Sequence, residues 1–142
     1  MVDINRFTNY SQEILSSANA LVNSYKNTQM QPEHILLAMI KDNGIIRDYL
    51  DELKLLNQAF MDRLIAKIKT FATISGLQNS QQLFMSNDTN RLFDLADEVA
   101  QELKDEFISV EDILLAMTKL ENSDIKTVLN EFRINSDLVL KV

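Results

Sequence analysis

The side chains best suited to chemistry in this sequence are carboxylates and hydroxyls that occupy equivalent places in two similar segments. Glu33 and Glu111 each begin a Glu-x-Ile-Leu-Leu-Ala-Met string, and Thr8 and Ser86 each precede a long amphipathic stretch. Carboxylate pairs could in principle perform acid–base work. Acidic residues in the first turn of a helix also stabilise its dipole, and hydroxyl residues before a helix cap its free backbone N–H groups.

The same sequence does not favour catalysis, metal binding or nucleotide binding. Carboxylate pairs such as Asp105 and Glu106 could perform acid–base work, but no nucleophile or oxyanion motif accompanies them. Cysteine is absent, and the only histidine, His34, has no second ligand at helical spacing. No Gly-x-x-x-x-Gly-Lys loop could cradle phosphates. We expect no enzyme activity and no cofactor on this chain, and we expect His34 at or near the surface.

The overall composition limits the class of partner. The 142 residues, with 46% apolar content, suit one domain with its own core. A net charge of -7 argues against nucleic acid, because phosphate binding needs a basic face. No apolar run is long enough for a membrane helix, and the first residues do not read as a signal peptide. We expect a soluble protein that is not exported, with a basic or apolar polypeptide as its partner.

The chain contains an internal duplication. Residues 31–41 realign with residues 109–119 after a shift of 78 positions, and seven of the eleven pairs are identical. The shift also carries one apolar helical stripe onto another. The first stripe is Ile14, Leu15, Ala18, Leu21, Val22 and Tyr25; the second is Leu92, Phe93, Ala96, Val99, Ala100 and Leu103. Both stripes predict the core face of a long helix.

The pattern predicts an all-α fold of about eight helices, arranged as two four-helix halves around a pseudo-twofold axis. We expect a first repeat at 8–70, a linker at 71–85 and a second repeat at 86–142, within one domain of residues 1–142. The expected helices are 8–25, 31–42, 45–54, 57–70, 86–104, 109–120, 123–132 and 136–141. Thr8 and Ser86 are expected to cap helices, and Ser109 with Asp112 forms a variant capping box. A groove between the halves follows from this arrangement.

Several motifs resemble those of one known family. Arg6-Phe7-Thr8, the string 31–38 and its second copy at 107–116 are similar to the N-terminal Clp repeat domain of the ClpB disaggregase chaperones. Leu83-Phe84-Met85-Ser86, followed by Asn90-Arg91-Leu92-Phe93, resembles the ClpB branch more than ClpA or ClpC. The resemblance covers about residues 4–142.

The resemblance implies a double Clp repeat that binds unfolded or aggregated polypeptides for an ATP-dependent chaperone. At full length such proteins are hexameric ATPases that use ATP and Mg, and the DnaK system is a further partner. The implied location is the bacterial cytoplasm, or an organelle of bacterial descent, and we expect the isolated domain to be a monomer. The alternative is a ClpA- or ClpC-like domain that docks adaptors or recognises phosphoarginine.

The resemblance also implies where the substrate binds. It places polar substrate-binding residues at Thr8, Asp105 and Glu111. The ClpC-like alternative uses Glu33 and Glu111, with Thr8 and Ser86 at the neighbouring helix starts. Two apolar candidates come from comparing the repeats, since Leu95 and Phe107 stand where the first repeat has Ser17 and Gln29. Glu33 and Glu111 could instead only stabilise helix dipoles, and Leu95 and Phe107 could be core residues.

Overall fold

The structure is a computed structural model that describes residues 2–42, 44–54, 58–73 and 84–139. Its helices are α1 (Asn9–Ser24), α2 (Pro32–Lys41), α3 (Ile45–Glu52), α4 (Gln58–Ile68), α5 (Asn87–Glu102), α6 (Val110–Lys119), α7 (Asp124–Glu131) and α8 (Ser136–Val139). A short 3-10 turn, Ile4–Arg6, precedes them. Within these ranges there are isolated β-bridges but no strands, and no helix has the length and apolarity needed to cross a membrane.

The predicted all-α fold is therefore confirmed. The bounds of the described helices lie within two residues of the predicted ones. Residue 57 of the predicted fourth helix, residues 140–141 of the predicted last helix and residues 74–83 of the predicted linker lie outside the described residues.

Helices α2 and α6 form the centre of the molecule. Their shared Ile-Leu-Leu-Ala-Met segments are apolar around nearly the whole helix, and every side chain in them is buried. A helix without a polar face must be enclosed by others. Helix α1 covers α2, and α5 covers α6 in the same way. Burial of this apolar surface, at about 25 cal/mol per Å², is the main force that holds each of these helix pairs together.

The predicted caps are confirmed, and they fix where the long helices begin. The Thr8 hydroxyl accepts a hydrogen bond from the Ser11 N–H at 3.0 Å, and the Ser86 hydroxyl accepts one from the Thr89 N–H at 3.1 Å. At the start of α6, the Ser109 hydroxyl and the Asp112 carboxylate form the reciprocal capping box.

Two short parallel bridges join the halves crosswise, Phe7 to Ile108 and Met30 to Met85. Each links the segment before the first helix of one half to the segment before the second helix of the other. The Thr8 N–H donates to the Ile108 carbonyl at 3.0 Å, and 78 residues later the Ser86 N–H donates to the Met30 carbonyl, also at 3.0 Å. The hydrogen bonds of the two bridges are thus related by the offset found in the sequence.

A second seam between the halves lies on the outer helices. The rings of Phe60 on α4 and Phe132 near the end of α7 meet edge to face, with centroids 5.0 Å apart. Ion pairs flank them, with Arg63 2.8 Å from Glu131 and Lys67 2.9 Å from Asp124. The Tyr49 hydroxyl, on α3, donates to the Leu138 carbonyl of α8.

Four of the helices are followed by a lysine or arginine whose backbone has the left-handed conformation. Lys26 and Lys104 follow α1 and α5 with φ of 57° and 62°, and Lys54 and Arg133 follow α3 and α7 with φ of 61° and 62°. Glycine is the usual residue here because it has no Cβ to clash. The whole chain has only two glycines, so basic residues, which suit the negative end of a helix dipole, end these helices instead.

Candidate functional site

Two segments of the same origin lead into the central helices. We call residues 27–34 the α2 start and residues 105–112 the α6 start; each follows a left-handed lysine and runs into the first helical turn. They are equivalent under the 78-residue offset, and each takes part in one of the crosswise bridges. Most of the polar site residues predicted from the sequence lie on these two starts or on the helix caps bonded to them.

The α2 start is closed. The His34 side chain is fully buried. Its Nδ1 accepts from the Gln31 N–H at 2.9 Å, and its Nε2 lies 2.8 Å from the Asn27 side-chain oxygen. The ring of Phe71 covers the imidazole at 5.7 Å. The expectation that His34 lies at or near the surface is therefore wrong, because Asn27 and Phe71 form a pocket around it.

Burial keeps the His34 imidazole neutral. It lowers the pKa of His34 to about 4, although the Gln31 hydrogen bond acts in the opposite direction. With Nδ1 as acceptor, the hydrogen-bond pattern assigns the ring proton to Nε2, which then donates to Asn27.

Glu33 is also enclosed in the α2 start, with only 2% of its surface exposed. One carboxylate oxygen, Oε2, is buried and has no hydrogen-bond partner among the described residues. The pKa of Glu33 is raised to about 7, chiefly by burial; the charges of Asp124 and Asp88 also act upwards, and a hydrogen bond from its own backbone and the charge of Lys67 oppose the rise. Such an uncompensated carboxylate is costly to ionise.

The α6 start is open. It borders a cavity of about 280 Å³. The cavity is lined by Leu103, Asp105, Ser109, Glu111, Asp112, Leu115 and Val139. Two of the predicted site residues, Asp105 and Glu111, are thus brought together at one opening. Asp105 is exposed and Glu111 is half-buried, whereas Glu33, the equivalent of Glu111, is enclosed.

Two carboxyl groups face each other in this cavity. Burial raises the pKa of Asp112 to about 6; the backbone and hydroxyl of Ser109 oppose the rise, and contact with the Asp105 carboxyl adds to it. Asp105 and Asp112 stand where the α2 start has Asn27 and His34. Two adjacent carboxylates ionise together only when a cation or water compensates them. The α6 start is therefore suited to a positively charged group.

Two apolar side chains on or next to the α6 start are exposed. Phe107 is 45% exposed and adjoins the Phe7–Ile108 bridge, and Leu103 is 48% exposed. The apolar stripe predicts Leu103 as a core residue, and that prediction is wrong. Helix α5 ends at Glu102, so Leu103 is the C-cap and its side chain leaves the buried face. Thr8, half-buried, bonds to the same bridge through its backbone N–H.

The remaining predicted site residues lie apart from the α6 cavity. Ser86 is buried as the cap of α5 at the Met30–Met85 bridge. Leu95 is half-buried and lies in a different cavity of about 350 Å³. Its lining is Arg91, Asp94, Leu95, Glu98, Lys119, Leu120 and Glu121. The predicted residues thus fall into groups at the α6 start, at the α2 start and beside the end of α6.

Sequence reasoning missed part of the α6 cavity. Ser109 and Asp112 were recognised as a capping pair and Leu115 as part of the repeat, but none was assigned to a site. Val139 had a usable signal, since with the one-residue insertion it is the equivalent of Phe60. A smaller side chain at an equivalent buried position indicates space.

The net negative charge belongs to the second half. Residues 8–70 contain seven acidic and seven basic side chains, whereas residues 86–142 contain thirteen acidic and six basic ones. The α6 start alone holds four carboxylates, and the α2 start holds one. In the described residues no cluster of three or more acidic or histidine side chains is arranged to hold a metal ion. The excess of acidic side chains in the second half favours a cationic partner.

Curated relatives match nearly the whole chain. "Chaperone protein ClpB 1" of Nostoc sp. is 30% identical over 137 residues, which cover 94% of this chain and 15% of the relative. "Chaperone protein ClpB" of Bdellovibrio bacteriovorus is 28% identical over 131 residues, covering 92% of this chain and 15% of the relative. The chain thus spans about one sixth of the length of such relatives.

Solved structures show the same fold. The N-terminal domain of Hsp104 from Candida albicans has a TM-score of 0.74 at 22% identity, with 95% of this chain and 87% of that one covered. The N-terminal domain of the ClpV1 ATPase from E. coli has a TM-score of 0.76 at 18% identity, with 96% and 83% covered.

A family model provides the assignment. The Clp repeat (R) N-terminal domain matches residues 6–132, which include both central helices and both crosswise bridges. This chain belongs to the Clp repeat N-terminal domain family and is similar to the N-terminal region of ClpB chaperones.

Proposed function

We propose that this chain is the substrate-binding N-terminal domain of a ClpB-type, ATP-dependent chaperone of the bacterial cytoplasm. It binds exposed apolar segments of unfolded or aggregated polypeptides at the seam between the repeats. The ATPase modules, the hexamer and cooperation with the DnaK system belong to the longer protein. The chain itself binds and does not catalyse.

One observation carries this proposal: an exposed aromatic ring stands beside an open cavity at the place where the two halves meet. Phe107 is 45% exposed, although burying an aromatic ring stabilises a protein. Carboxylates flank it in the sequence at Asp105, Glu106 and Glu111. An apolar contact with a charged rim suits loose binding of many unfolded sequences, because burial is non-directional.

Titration with a permanently unfolded protein tests the proposal. Reduced, carboxymethylated α-lactalbumin should shift the backbone amide resonances of Thr8, Asp105, Phe107 and Glu111 in the labelled chain. Native α-lactalbumin should not shift them. Shifts confined to the outer face of α3, or equal binding of the native protein, would contradict the proposal.

A matched pair of phenylalanines provides the control. Phe107→Ala should weaken binding by roughly tenfold, the effect of losing about 1.4 kcal/mol of apolar contact. Phe84→Ala should leave the affinity unchanged, although Phe84 is 54% exposed beside the other bridge. Equal effects of the two substitutions would mean that apolar exposure alone, and not the α6 start, decides binding.

A second candidate function is recognition of phosphoarginine. The buried Oε2 of Glu33, without a partner among the described residues, favours it, because a guanidinium could pair with this oxygen if the closed α2 start opened to admit it. Ser86 caps α5. The start of this helix is near Glu33, since Asp88 in its first turn is close enough to affect the pKa of Glu33. Free phosphoarginine should then perturb the Glu33 and Ser86 amides, and Glu33→Ala should abolish the effect.

A further inference from the structure

The first half of the molecule carries an extended segment of its own over the α2 start. Thr73 forms an antiparallel bridge with Asn27, and the Thr28 N–H donates to the Ala72 carbonyl at 3.1 Å. The side chain of Phe71 enters against the His34 ring. Residues 71–73 therefore pair with the α2 start through the backbone and fill it with one side chain.

The α6 start presents the equivalent groups, and none of the described residues pairs with it as residues 71–73 pair with the α2 start. Asp105 and Asp112, which replace Asn27 and His34, both line the cavity. The N–H of Glu106, equivalent to that of Thr28, donates to no carbonyl within the described part of the chain. Val139, in the place of Phe60, leaves further room.

The chemistry of the two starts differs in one respect. The closed start holds a neutral imidazole and an amide, whereas the open start holds the facing carboxyls of Asp105 and Asp112, with Glu111 beside them. A guanidinium or ammonium group would compensate these carboxyls and donate hydrogen bonds to both.

We infer that the α6 start binds an extended polypeptide segment that pairs with Glu106 as residues 71–73 pair with Thr28, and that places a basic side chain between Asp105 and Asp112. This inference rests on the proposed function and specifies its ligand: an unfolded segment in which arginine or lysine stands among apolar residues. The closed α2 start is the internal example of the complex.

Binding of two short labelled peptides, measured by fluorescence anisotropy, tests the inference. One has a central Val-Arg-Thr and its twin has Val-Gln-Thr. The arginine peptide should bind about tenfold more tightly, as expected when a charge-assisted hydrogen bond replaces a neutral one. It should also shift the Glu106 amide resonance. Equal affinity of the twins, or an unmoved Glu106 resonance, would overturn the inference.

Variants of the cavity locate the peptide. Val139→Phe introduces the bulk found at Phe60 and should weaken binding about tenfold, and the double variant Asp105→Asn/Asp112→Asn should do the same. Asp51→Asn, an exposed carboxylate of α3, is the matched control and should have no effect. If Val139→Phe does not fold, the double variant alone tests whether the peptide binds in the cavity.

The remaining outcomes separate this inference from the proposed function. Unfolded α-lactalbumin that still binds both cavity variants with full affinity would overturn the inference and leave the proposed function standing. Dimerisation of the chain through the α6 start would also overturn it, since a second copy would then be the occupant. If the same variants lose binding of both unfolded α-lactalbumin and the arginine peptide, the result would support the inference and the proposed function together.

Discussion

The starts of α2 and α6 descend from one sequence and share a backbone, yet one is closed and the other is open. Both begin after a left-handed lysine, join a crosswise bridge and contain a reciprocal capping interaction. Glu33 is 98% enclosed at the first and its equivalent Glu111 is half-buried at the second. Among the described residues, the difference arises from the side chains and from residues 71–73, which lie over the first start.

This contrast separates the features that hold the fold together from those that determine whether a site is accessible. The hydrogen bonds of the bridges and caps are set by the backbone, so they survive the divergence of the two halves. The accessibility of a start is set by what packs on it. A neutral His34 can be satisfied inside a dry pocket by Gln31 and Asn27, whereas the carboxyls of Asp105 and Asp112 require water or a cation. One half has become structural and the other has kept an opening.

The largest expected effect comes from removing the equivalent capping residues. His34→Ala should lower the free energy of unfolding by about 3 kcal/mol, because it empties a buried site and leaves the Gln31 N–H and the Asn27 side-chain oxygen without their partner. Asp112→Ala should cost about 1 kcal/mol or less, since the lost capping bond is offset by relief of the facing carboxyls. Urea unfolding at neutral pH measures both. Equal losses would mean that the two starts are energetically alike.

The next effect is a pH dependence of stability at the closed start. Because burial raises the pKa of Glu33 to about 7, the neutral form stabilises the fold below the unfolded pKa, and this contribution is lost as the pH rises through about 7. Glu33→Gln should therefore add about 2 kcal/mol of stability at pH 8.5 and almost none at pH 4.5. Unfolding measured across this range tests it, with Glu111→Gln as the half-exposed control.

His34 should give the opposite slope. Burial lowers the pKa of His34 in the folded protein to about 4. Its contribution to the free energy of unfolding is therefore present above the unfolded pKa near 6.5 and is lost as the pH falls towards 4. In the natural sequence the two adjacent residues oppose each other between these values. In the Glu33→Gln variant, stability should rise with pH between 4 and about 6.5 by more than it does in the natural protein, because Asp112, whose raised pKa acts in the opposite direction, is present in both. A variant whose profile keeps the natural shape would show that Glu33 ionises without cost.

Local patterns predicted the helices well, for physical reasons that can be named. The apolar stripe and the hydroxyl caps act within one or two helical turns, so α1 and α5 begin within one residue of their predicted starts. The stripe failed at Leu103 because the helix ends one residue earlier. Periodicity describes a helical face and says nothing about a side chain that has left the helix.

The environment of His34 could not be predicted, because it depends on residues that only the fold brings near. Asn27 and Phe71 close the pocket, and Phe71 is 37 positions away in the sequence. For the same reason, only part of the lining of the cavity at the α6 start could be predicted from the sequence. Asp105 and Glu111 came from a family resemblance, while Val139 arrives from the far end of the second half. Their roles in binding stay predictions.

The smallest expected effect tests the part that the two starts have in common. Lys26 and Lys104 have φ of 57° and 62°, a conformation that costs an ordinary residue about 1 kcal/mol. Lys26→Gly and Lys104→Gly should each stabilise the fold by roughly 0.5 kcal/mol, because glycine removes the clash but gains freedom in the unfolded chain. Ser16→Gly, at an exposed position inside α1, should instead destabilise by about 0.5 kcal/mol. If urea unfolding gave opposite signs at the two lysines, the backbones of the starts would differ in energy, and the contrast between them could no longer be assigned to side chains and cover alone.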